Sequence, residues 1–299
     1  NSYLIDDEMV ALVDTVDICY FEVYLRKIKQ VIGERPINYL IINHMEPDHS
    51  GSIRLIKQHY PGIIIVGNKQ TFGMIEGFYG VTGEQYLVKE GDFLALGHHK
   101  LRFYMTPMVH WPETMMTFDE TDGVLFSGDG FGCFGTVDGG FLDTRINVDK
   151  YWGEMVRYYS NIVGKYGSPV QKALQKLGGL PISAICSTHG PVWTENIAKV
   201  IGIYDRLSRY DADEGVVIAY GSMYGNTEQM AEAIAEELSA QGVKNIVMHN
   251  VTKSHPSYII ADIFRYKGLI IGSPTYSNQI FPEVCLLYTS PSPRDRTRS

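Results

Sequence analysis

The sequence predicts a two-domain α/β protein, and three observations lead to that fold class. The chain has 299 residues, enough for about two domains with substantial cores. Short apolar runs alternate with amphipathic stretches, and several of these runs end directly at a histidine or an acidic residue. After residue 215 a strand-helix-strand alternation begins, which is typical of a doubly wound parallel sheet.

Charge, cysteine spacing and hydropathy limit the partners and the compartment that the protein can have. The net charge of −8 argues against nucleic acid and against an anionic membrane as partners. The four cysteines lie far apart without C-x-x-C spacing, which favours a reducing compartment and excludes a zinc finger. The reducing compartment that the cysteines indicate leads us to expect a cytoplasmic protein. No apolar run approaches the ~20 residues that a membrane span needs. The chain opens at Asn1 with a strand pattern and no signal peptide, as expected at the cut edge of a fragment.

In the first part of the chain, strands and helices are expected to alternate up to a polar linker at residues 211–215. Residues 2–15 should form a hairpin that turns at Asp6-Asp7. Ser50-Gly51-Ser52 should provide capping oxygens for the helix that follows it. The other strands are expected at residues 39–42, 63–66, 86–88, 100–105, 114–118, 124–126 and 182–186. The helices are expected at residues 16–30, 53–59, 69–79, 150–163, 169–177 and 194–210.

After the linker, buried strands are expected at residues 216–220, 245–248 and 268–271. A helix should span residues 228–240, with Met230, Ile234 and Leu238 on one face.

The stretch H-M-E-P-D-H from His44 to His49 puts four metal-capable side chains into six residues, directly after the apolar run 39–42. In an extended backbone alternate side chains share a face, so His44, Glu46 and Asp48 should converge while His49 points elsewhere. Pro47 biases Glu46 toward the extended conformation that this geometry needs. The sequence therefore predicts a metal site at the end of this strand.

Three more candidate ligands directly follow apolar strands: His110, Asp129 and His189. The complete set holds four histidines and three carboxylates, enough for two metals about 3.5–4 Å apart that share one carboxylate. A lone histidine after a strand is more often a surface or hydrogen-bonded residue, and only the compact stretch above strengthens these candidates. The remaining histidines are interpreted in that ordinary way: His59, His98, His99, His249 and His255.

The H-x-E-x-D-H pattern resembles the metallo-β-lactamase superfamily, whose usual motif is H-x-H-x-D-H, and within it the flavodiiron proteins. A hard carboxylate at Glu46, where imidazole is usual, favours redox-active iron over zinc. H-W-P-E from His110 and F-S-G-D ending at Asp129 are also similar to the family's local sequence. The resemblance implies that His44, Glu46 and His110 hold one iron, that Asp48, His49 and His189 hold the other, and that Asp129 bridges them. It assigns no separate acid or base.

Two loops of the second part resemble those of flavodoxins. The first lies between strand and helix, and its hydroxyls and backbone N–H groups could hold a phosphate without a lysine. It is not a Walker loop, because G-K-[ST] is missing, and on its own it is equally explained as a simple turn. The second follows another buried strand and would border the flavin ring. The resemblance implies that FMN is bound by Ser222, Met223, Tyr224, Gly225, Asn226, Thr227, Pro274, Thr275, Tyr276 and Asn278.

The resemblance implies an αββα metallo-β-lactamase-like di-iron domain at residues 1–212 and a truncated flavodoxin-like doubly wound domain at residues 213–284. It implies reduction of O2 to water, of NO to N2O, or of both, with electrons that pass from rubredoxin or a flavoprotein reductase through FMN to two irons. Family members pair head-to-tail, so a homodimer or a dimer of dimers is expected.

Both ends of the chain depart from the family pattern. A further N-terminal segment with a pocket histidine is expected to be missing, as are the third flavin loop and the remaining strands. Residues 285–295 back-translate to a sequence that resembles a transposase-library adapter, so we expect residues 285–299 to carry no function. A disordered Pro/Ser/Arg tail is the alternative.

Two other classes of function remain open from the sequence. One is a dizinc hydrolase with a flavodoxin-like appendage, which Glu46 disfavours and which zinc together with thioester or lactam hydrolysis would support. The other is an electron-transfer or binding module with a structural metal. The complete set of seven ligands disfavours that reading, and bound iron without O2 or NO turnover would support it.

Overall fold

A computed structural model of the chain describes residues 1–289, so residues 290–299 of the predicted adapter-like tail lie outside the described part. The chain divides into two compact units: one comprises Asn1–Trp152 and Ser168–Asp205, the other Gly153–Gly167 and the residues from Arg206 onward. The domain limits derived from the sequence place residues 153–167 with the first part instead, and those limits remain a prediction.

The first unit is built on two sheets. The first sheet contains, in spatial order, β1 (Tyr3–Ile5), β2 (Ala11–Val13), β3 (Tyr39–Ile41), β4 (Ile64–Gly67) and β5 (Gln85–Leu87). The second contains β6 (Phe93–Ala95), β7 (Lys100–Met105), β8 (Met115–Asp119), β9 (Val124–Gly128), β10 (Ala184–Ser187) and β11 (Val192–Trp193), in the order β11-β10-β9-β8-β7-β6. The predicted hairpin is present as the antiparallel β1–β2 pair, and β2 to β5 run parallel.

The helices between these strands are α1 (Phe21–Ile32), α2 (Pro47–Ser50), α3 (Ile53–His59), α4 (Lys69–Tyr79), α5 (Asp149–Tyr158), α6 (Gly167–Leu177) and α7 (Ile197–Ser208). Helix α4 has the predicted bounds because Asn68 caps the backbone N–H groups of Gln70 and Thr71, and because Gly80 ends the helix with a φ of +60°. Helix α1 starts later than predicted, since Asp17 caps a 3₁₀ turn over Ile18–Tyr20 first.

Alternation along β3 explains the layers of the first unit. Leu40 belongs to a core that includes residues of α1, α3 and α4, whereas the next residue, Ile41, belongs to a core shared by the two sheets. On the second sheet, Trp193 is fully buried and its ring stacks on Trp152 at 5.3 Å between centroids. Tyr204 of α7 contacts the ring of Phe131 at 5.0 Å. Helices therefore cover both sheets, and the predicted αββα sandwich is confirmed.

The second unit has the predicted doubly wound topology. Its parallel strands lie in the order β13-β12-β14, which places the first strand between the two that follow it. The elements are β12 (Asp213–Tyr220), α8 (Asn226–Ala240), β13 (Ile246–Asn250), α9 (Pro256–Arg265), β14 (Tyr266–Gly272), β15 (Thr275–Tyr276), β16 (Gln279–Ile280) and α10 (Pro282–Thr289). The predicted linker is partly wrong, because Asp213 pairs with Tyr266 and extends β12.

Two further observations concern helices. On α8 the buried residue is Ala231, whereas Met230 and Ile234 of the predicted apolar face are exposed. No helix within residues 1–289 is long and apolar enough to cross a membrane.

Candidate metal centre

Five of the seven candidate ligands lie in loops next to strands, and the other two lie on a short helix. His44 and Glu46 come after β3, His110 lies between β7 and β8, Asp129 follows β9 and His189 follows β10. Asp48 and His49 lie on the short helix α2. The segments that carry the seven side chains thus follow or connect strands of both sheets of the first unit.

The prediction that the H-M-E-P-D-H stretch stays extended is wrong beyond Glu46. Glu46 is extended as expected, with φ −59° and ψ 140°, but Pro47 then starts helix α2. Proline suits the first helical turn because its fixed φ matches a helix and no hydrogen bond to its nitrogen is needed there. The turn brings His49 into the site, where it is 2% exposed, so the prediction that His49 points elsewhere is also wrong.

The expected capping of the following helix is not formed. Ser50 Oγ donates to Met45 O at 2.7 Å, whereas Ser52 makes no side-chain cap and its buried Oγ has no partner among residues 1–289. The reason is that Gly51 is itself in a helical conformation, so α2 runs almost directly into α3.

The first group of ligand atoms comes from His44, Glu46, His110 and Asp129, and these atoms lie within 4.8 Å of one another. Glu46 Oε2 lies 3.3 Å from His44 Nε2 and 3.1 Å from His110 Nε2. Asp129 Oδ2 lies 2.9 Å from His110 Nε2 and 3.6 Å from His44 Nε2.

The second group comes from Asp48, His49 and His189. The Nε2 atoms of the two histidines are 3.0 Å apart, and Asp48 Oδ2 lies 3.1 Å from His49 Nε2 and 3.2 Å from His189 Nε2. Asp129 Oδ1 lies 3.0 Å from His49 Nε2. One oxygen of Asp129 therefore faces each group, as a bridging carboxylate requires.

The geometry and the charge of these atoms fit metal ions. Ligands bound at about 2.0–2.2 Å lie about 3 Å from their neighbours around an ion, which is the spacing seen in both groups. Two imidazole nitrogens that face each other at 3.0 Å can share only one proton, whereas both can bind metal through their lone pairs. Glu46, Asp48 and Asp129 together bring three negative charges, and two divalent ions would offset them.

The pKa shifts of the candidate ligands arise from the same close contacts between carboxylates and imidazoles. Burial alone would lower the pKa of His44, but its hydrogen bonds with Glu113 and Glu46 raise it to about 10. Burial likewise opposes the charged form of His49, yet Asp129 and Asp48 raise its pKa to about 9. Hydrogen bonds from His110 and His44 lower the pKa of Glu46 to about 2. The negative field that favours imidazolium also favours a metal cation.

Sequence reasoning missed two buried carboxylates behind the ligands. Glu113 Oε1 lies 2.9 Å from His44 Nδ1 and accepts a hydrogen bond from Met45 N at 2.9 Å. Asp14 Oδ1 accepts hydrogen bonds from the backbone nitrogens of Asn43 and His44 at 2.8 and 3.2 Å. Glu113 stands in the H-W-P-E segment, but nothing in the sequence pairs it with His44. In the same segment, Trp111 contacts the ring of His44 edge-on at 5.3 Å.

A further histidine lies in an acidic setting that the sequence did not predict. His99 was interpreted as an ordinary surface residue, but its Nδ1 lies 2.8 Å from Asp7 Oδ2 and its Nε2 lies 3.4 Å from Asp122 Oδ2. Asp119 lies beside it at 3.9 Å.

In the second unit, the two predicted flavin loops lie at the same edge of the sheet. The first follows β12, the second follows β14, and these strands are parallel neighbours. Gly221 N donates to Gly272 O at 3.0 Å, which ties the loop beginnings together. Gly225, with φ +86°, precedes α8, whose first turn has no side-chain cap. The backbone N–H groups of this first turn of α8 therefore suit a phosphate group. Thr275 and Tyr276 are exposed on β15, and Asn278 lies in the β15–β16 turn with φ +64°.

Comparisons with known proteins agree with this architecture. The model of the ODP family beta lactamase matches residues 1–190, and the flavodoxin model matches residues 218–294. The anaerobic nitric oxide reductase flavorubredoxin of Vibrio vulnificus is 32% identical over 289 residues, which cover 95% of this chain and 58% of that protein. An Escherichia coli flavorubredoxin is also 32% identical, with 60% of its length covered. The chain thus spans about three fifths of the length of these curated relatives.

Solved structures give the same assignment. Rubredoxin oxygen:oxidoreductase from Desulfovibrio gigas matches with a TM-score of 0.92 and 31% identity, over 96% of this chain and 72% of that one. The flavodiiron protein of Giardia intestinalis matches with a TM-score of 0.92 and 28% identity, over 96% and 70%. The chain therefore belongs to the ODP family of beta-lactamase-type proteins, and the flavodiiron proteins and flavorubredoxins are its homologues.

Proposed function

We propose that this chain is the catalytic part of a flavodiiron oxidoreductase that reduces O2 to water, NO to N2O, or both. The observation that carries the proposal is the pair of ligand groups on either side of Asp129. Its Oδ2 faces the first group and its Oδ1 faces the second. A carboxylate at Glu46, in place of imidazole, supports iron over zinc. When bound, two irons and FMN would supply the electrons that this reduction consumes.

We assign the residues as follows. His44, Glu46 and His110 would hold one metal, Asp48, His49 and His189 the other, and Asp129 would bridge the two. Trp111 restricts the ring of His44 through its edge-on contact. Thr188 Oγ1 donates to Asp129 Oδ1 at 2.7 Å and fixes the orientation of the bridging carboxylate.

The flavin would bind in the second unit. The backbone N–H groups at the start of α8, with the hydroxyls of Ser222 and Thr227, would hold the phosphate of FMN. Met223, Tyr224, Gly225 and Asn226 complete this first loop, and Pro274, Thr275, Tyr276 and Asn278 would contact the flavin ring. The adjacency of the two loops at one sheet edge supports this assignment, as does the match to the flavodoxin model.

Further proposals concern partners, location and domain limits. Rubredoxin or a flavoprotein reductase would supply electrons, and the names of the relatives support rubredoxin. The complete protein would form a head-to-tail homodimer or a dimer of dimers, and a strictly monomeric, fully active enzyme would contradict this. None of the cysteines within residues 1–289 forms a disulfide, which suits a cytoplasmic location. We retain residues 1–212 and 213–284 as the domain limits.

The decisive experiment is metal analysis of anaerobically purified protein, followed by assays of O2 and NO consumption with a chemical reductant. About two irons per chain and turnover of either gas are expected. The matched variants are Glu46→His, which restores the H-x-H-x-D-H pattern and should raise the zinc-to-iron ratio, and Glu46→Asp, which keeps the carboxylate and should keep iron.

Two zincs per chain despite added iron, with hydrolysis of a thioester or a lactam, would overturn the proposal in favour of a dizinc hydrolase. Bound iron without consumption of either gas would favour an electron-transfer or binding role.

A further inference from the structure

Glu113 is a buried carboxylate that touches a candidate ligand from behind. Glu113 is 0% exposed. Its Oε1 lies 2.9 Å from Nδ1 of His44 and accepts a hydrogen bond from the backbone nitrogen of Met45, also at 2.9 Å. An ionised carboxylate only accepts hydrogen bonds, so Nδ1 of His44 must carry the proton. Nε2 of His44 is then the nitrogen that would offer its lone pair to a metal ion held between it, Glu46 and Asp129.

The other oxygen of Glu113 is buried without compensation. Oε2 is buried and has no hydrogen-bond partner among residues 1–289. A half-satisfied buried carboxylate is costly unless positive charge lies close by. A metal ion on Nε2 of His44 would supply that charge through the imidazole ring. With Glu113 included, four carboxylates would offset the four positive charges of two divalent ions.

The two ligand groups differ in what lies at the outer nitrogen, Nδ1, of their buried histidine. Nδ1 of His49, the buried histidine of the second group, has no hydrogen-bond partner within the described residues, whereas Nδ1 of His44 has a carboxylate. A carboxylate on the outer nitrogen makes a histidine ligand more basic and fixes its orientation.

We propose that Glu113 is a positioning residue for His44, and that it makes the two metal positions unequal: the position on the His44 side binds its ion more tightly and is the more electron-rich of the two. This inference rests on the proposed di-iron function only for the identity of the metal. The hydrogen bond and the buried charge do not depend on which divalent ion is bound.

The test compares three substitutions of Glu113 in the metal-loaded protein. Glu113→Ala removes the acceptor, and we expect a 10–100-fold loss of affinity at one metal position in competition with a chelator. Glu113→Gln keeps an acceptor of the same shape but removes the charge. It should keep both irons, shift the midpoint potential of one iron upward and change one of the two ⁵⁷Fe Mössbauer doublets. Glu113→Asp should partly restore the affinity lost in Glu113→Ala.

The control is Asp143→Asn, which alters another buried carboxylate of the first unit that accepts hydrogen bonds from Thr194 and Asn196 and touches no candidate ligand. It should lower the stability of the fold and leave the potential and both doublets unchanged. If Glu113→Gln leaves them unchanged too, or if Glu113→Ala weakens both positions equally, the inference is overturned.

Failure of the proposed function has a different signature. If the wild-type protein takes up zinc and no iron, the di-iron proposal fails, and the chelator competition is then run with zinc. A selective loss at one zinc position in Glu113→Ala would still support the positioning role, and equal affinities in wild type and variant would refute it.

Discussion

At the scale of single residues, we expect substitution of Asp129 to affect metal binding most. It is 2% exposed, and each of its oxygens serves one ligand group. The pKa of Asp129 lies well below its usual range because hydrogen bonds from His110 and His49 outweigh the effect of burial. This carboxylate therefore remains charged in the native state.

We expect Asp129→Asn to lose both metals rather than one. The amide removes the bridging charge from both groups, and each ion should bind at least 100-fold more weakly, about 2.7 kcal/mol. Metal analysis after gel filtration measures this. Asp122→Asn, which changes a carboxylate beside His99 instead, should keep the wild-type metal content. A variant of Asp129 that retained one full equivalent would show that the groups are independent.

At the scale of elements, Asp7 connects the two sheets of the first unit. It lies in the β1–β2 turn, and its carboxylate accepts hydrogen bonds from the backbone nitrogens of His98 and His99 in the β6–β7 turn. Burial alone would raise the pKa of Asp7, but these bonds and those from Glu8 N and the His99 ring hold it well below its usual range. The pKa of His99 is raised, since Asp7, Asp119 and Asp122 outweigh burial.

The sign of the pH dependence follows from these two shifts. A depressed carboxylate pKa stabilises the fold above about pH 4, and this contribution is lost as pH falls through the folded pKa. A raised histidine pKa stabilises the fold below about pH 6.5, and that contribution is lost as pH rises through the folded pKa. The pair should therefore contribute most between these two values.

Asp7→Asn should lower the free energy of unfolding by about 1–2 kcal/mol between pH 4 and 6.5. The difference from wild type should shrink below pH 4 and also decrease above pH 6.5. Urea denaturation across pH 3–8 measures it. The neighbouring Asp6→Asn, which changes an exposed ion pair with Arg35, should stay within about 0.5 kcal/mol at every pH. A difference for Asp7→Asn that does not vary with pH would rule out the electrostatic account.

The turn after β10 offers a second test at this scale. Gly190 follows His189 with φ +83°, and an added Cβ would overlap Cys133 Sγ. Gly139 has a similar φ of +79°, but an added Cβ would meet nothing within 4 Å.

Gly139→Ala should cost about 1–2 kcal/mol from the left-handed backbone alone. Gly190→Ala should cost about 1–3 kcal/mol more because of the overlap, and it should weaken metal binding by displacing His189. Tryptophan-monitored denaturation and metal analysis measure the two effects. Equal stabilities for the two variants would mean that the turn moves aside freely.

Particular elements show how far the sequence could predict this molecule. Strands and helices with strong local signals, such as α4 with Asn68 and Gly80 at its ends, were predicted with the correct bounds. The H-M-E-P-D-H stretch was predicted as a site but with the wrong backbone, because proline suits both the end of an extended segment and the first turn of a helix. Glu113 was missed because its partner His44 is distant in sequence, and only the packing of the two sheets brings them together.

At the scale of the whole molecule, the tryptophans separate the two units. The sequence contains three tryptophans, Trp111, Trp152 and Trp193, and all belong to the first unit. Tryptophan fluorescence therefore reports the unfolding of the metal-binding unit, whereas the fluorescence of bound FMN would report the other.

A metal present at 100 times its dissociation constant stabilises the folded state by about 2.7 kcal/mol. Chelation should therefore lower the midpoint of the tryptophan-monitored thermal transition by about 5–10 °C. The same chelator should not shift the midpoint of Asp129→Asn, which holds no metal to lose. A shift of equal size in that variant would mean that the chelator acts on something other than this site.

The loops that carry the ligands come from both sheets of the first unit, and this has a consequence for folding. His44, Glu46, Asp48 and His49 follow a strand of one sheet, whereas Asp129 and His189 follow strands of the other. A complete coordination shell can form only after the two sheets have met. During refolding in the presence of iron, the appearance of the absorption of bound iron would therefore report the docking of the two sheets, separately from the far-UV circular dichroism that reports helix formation.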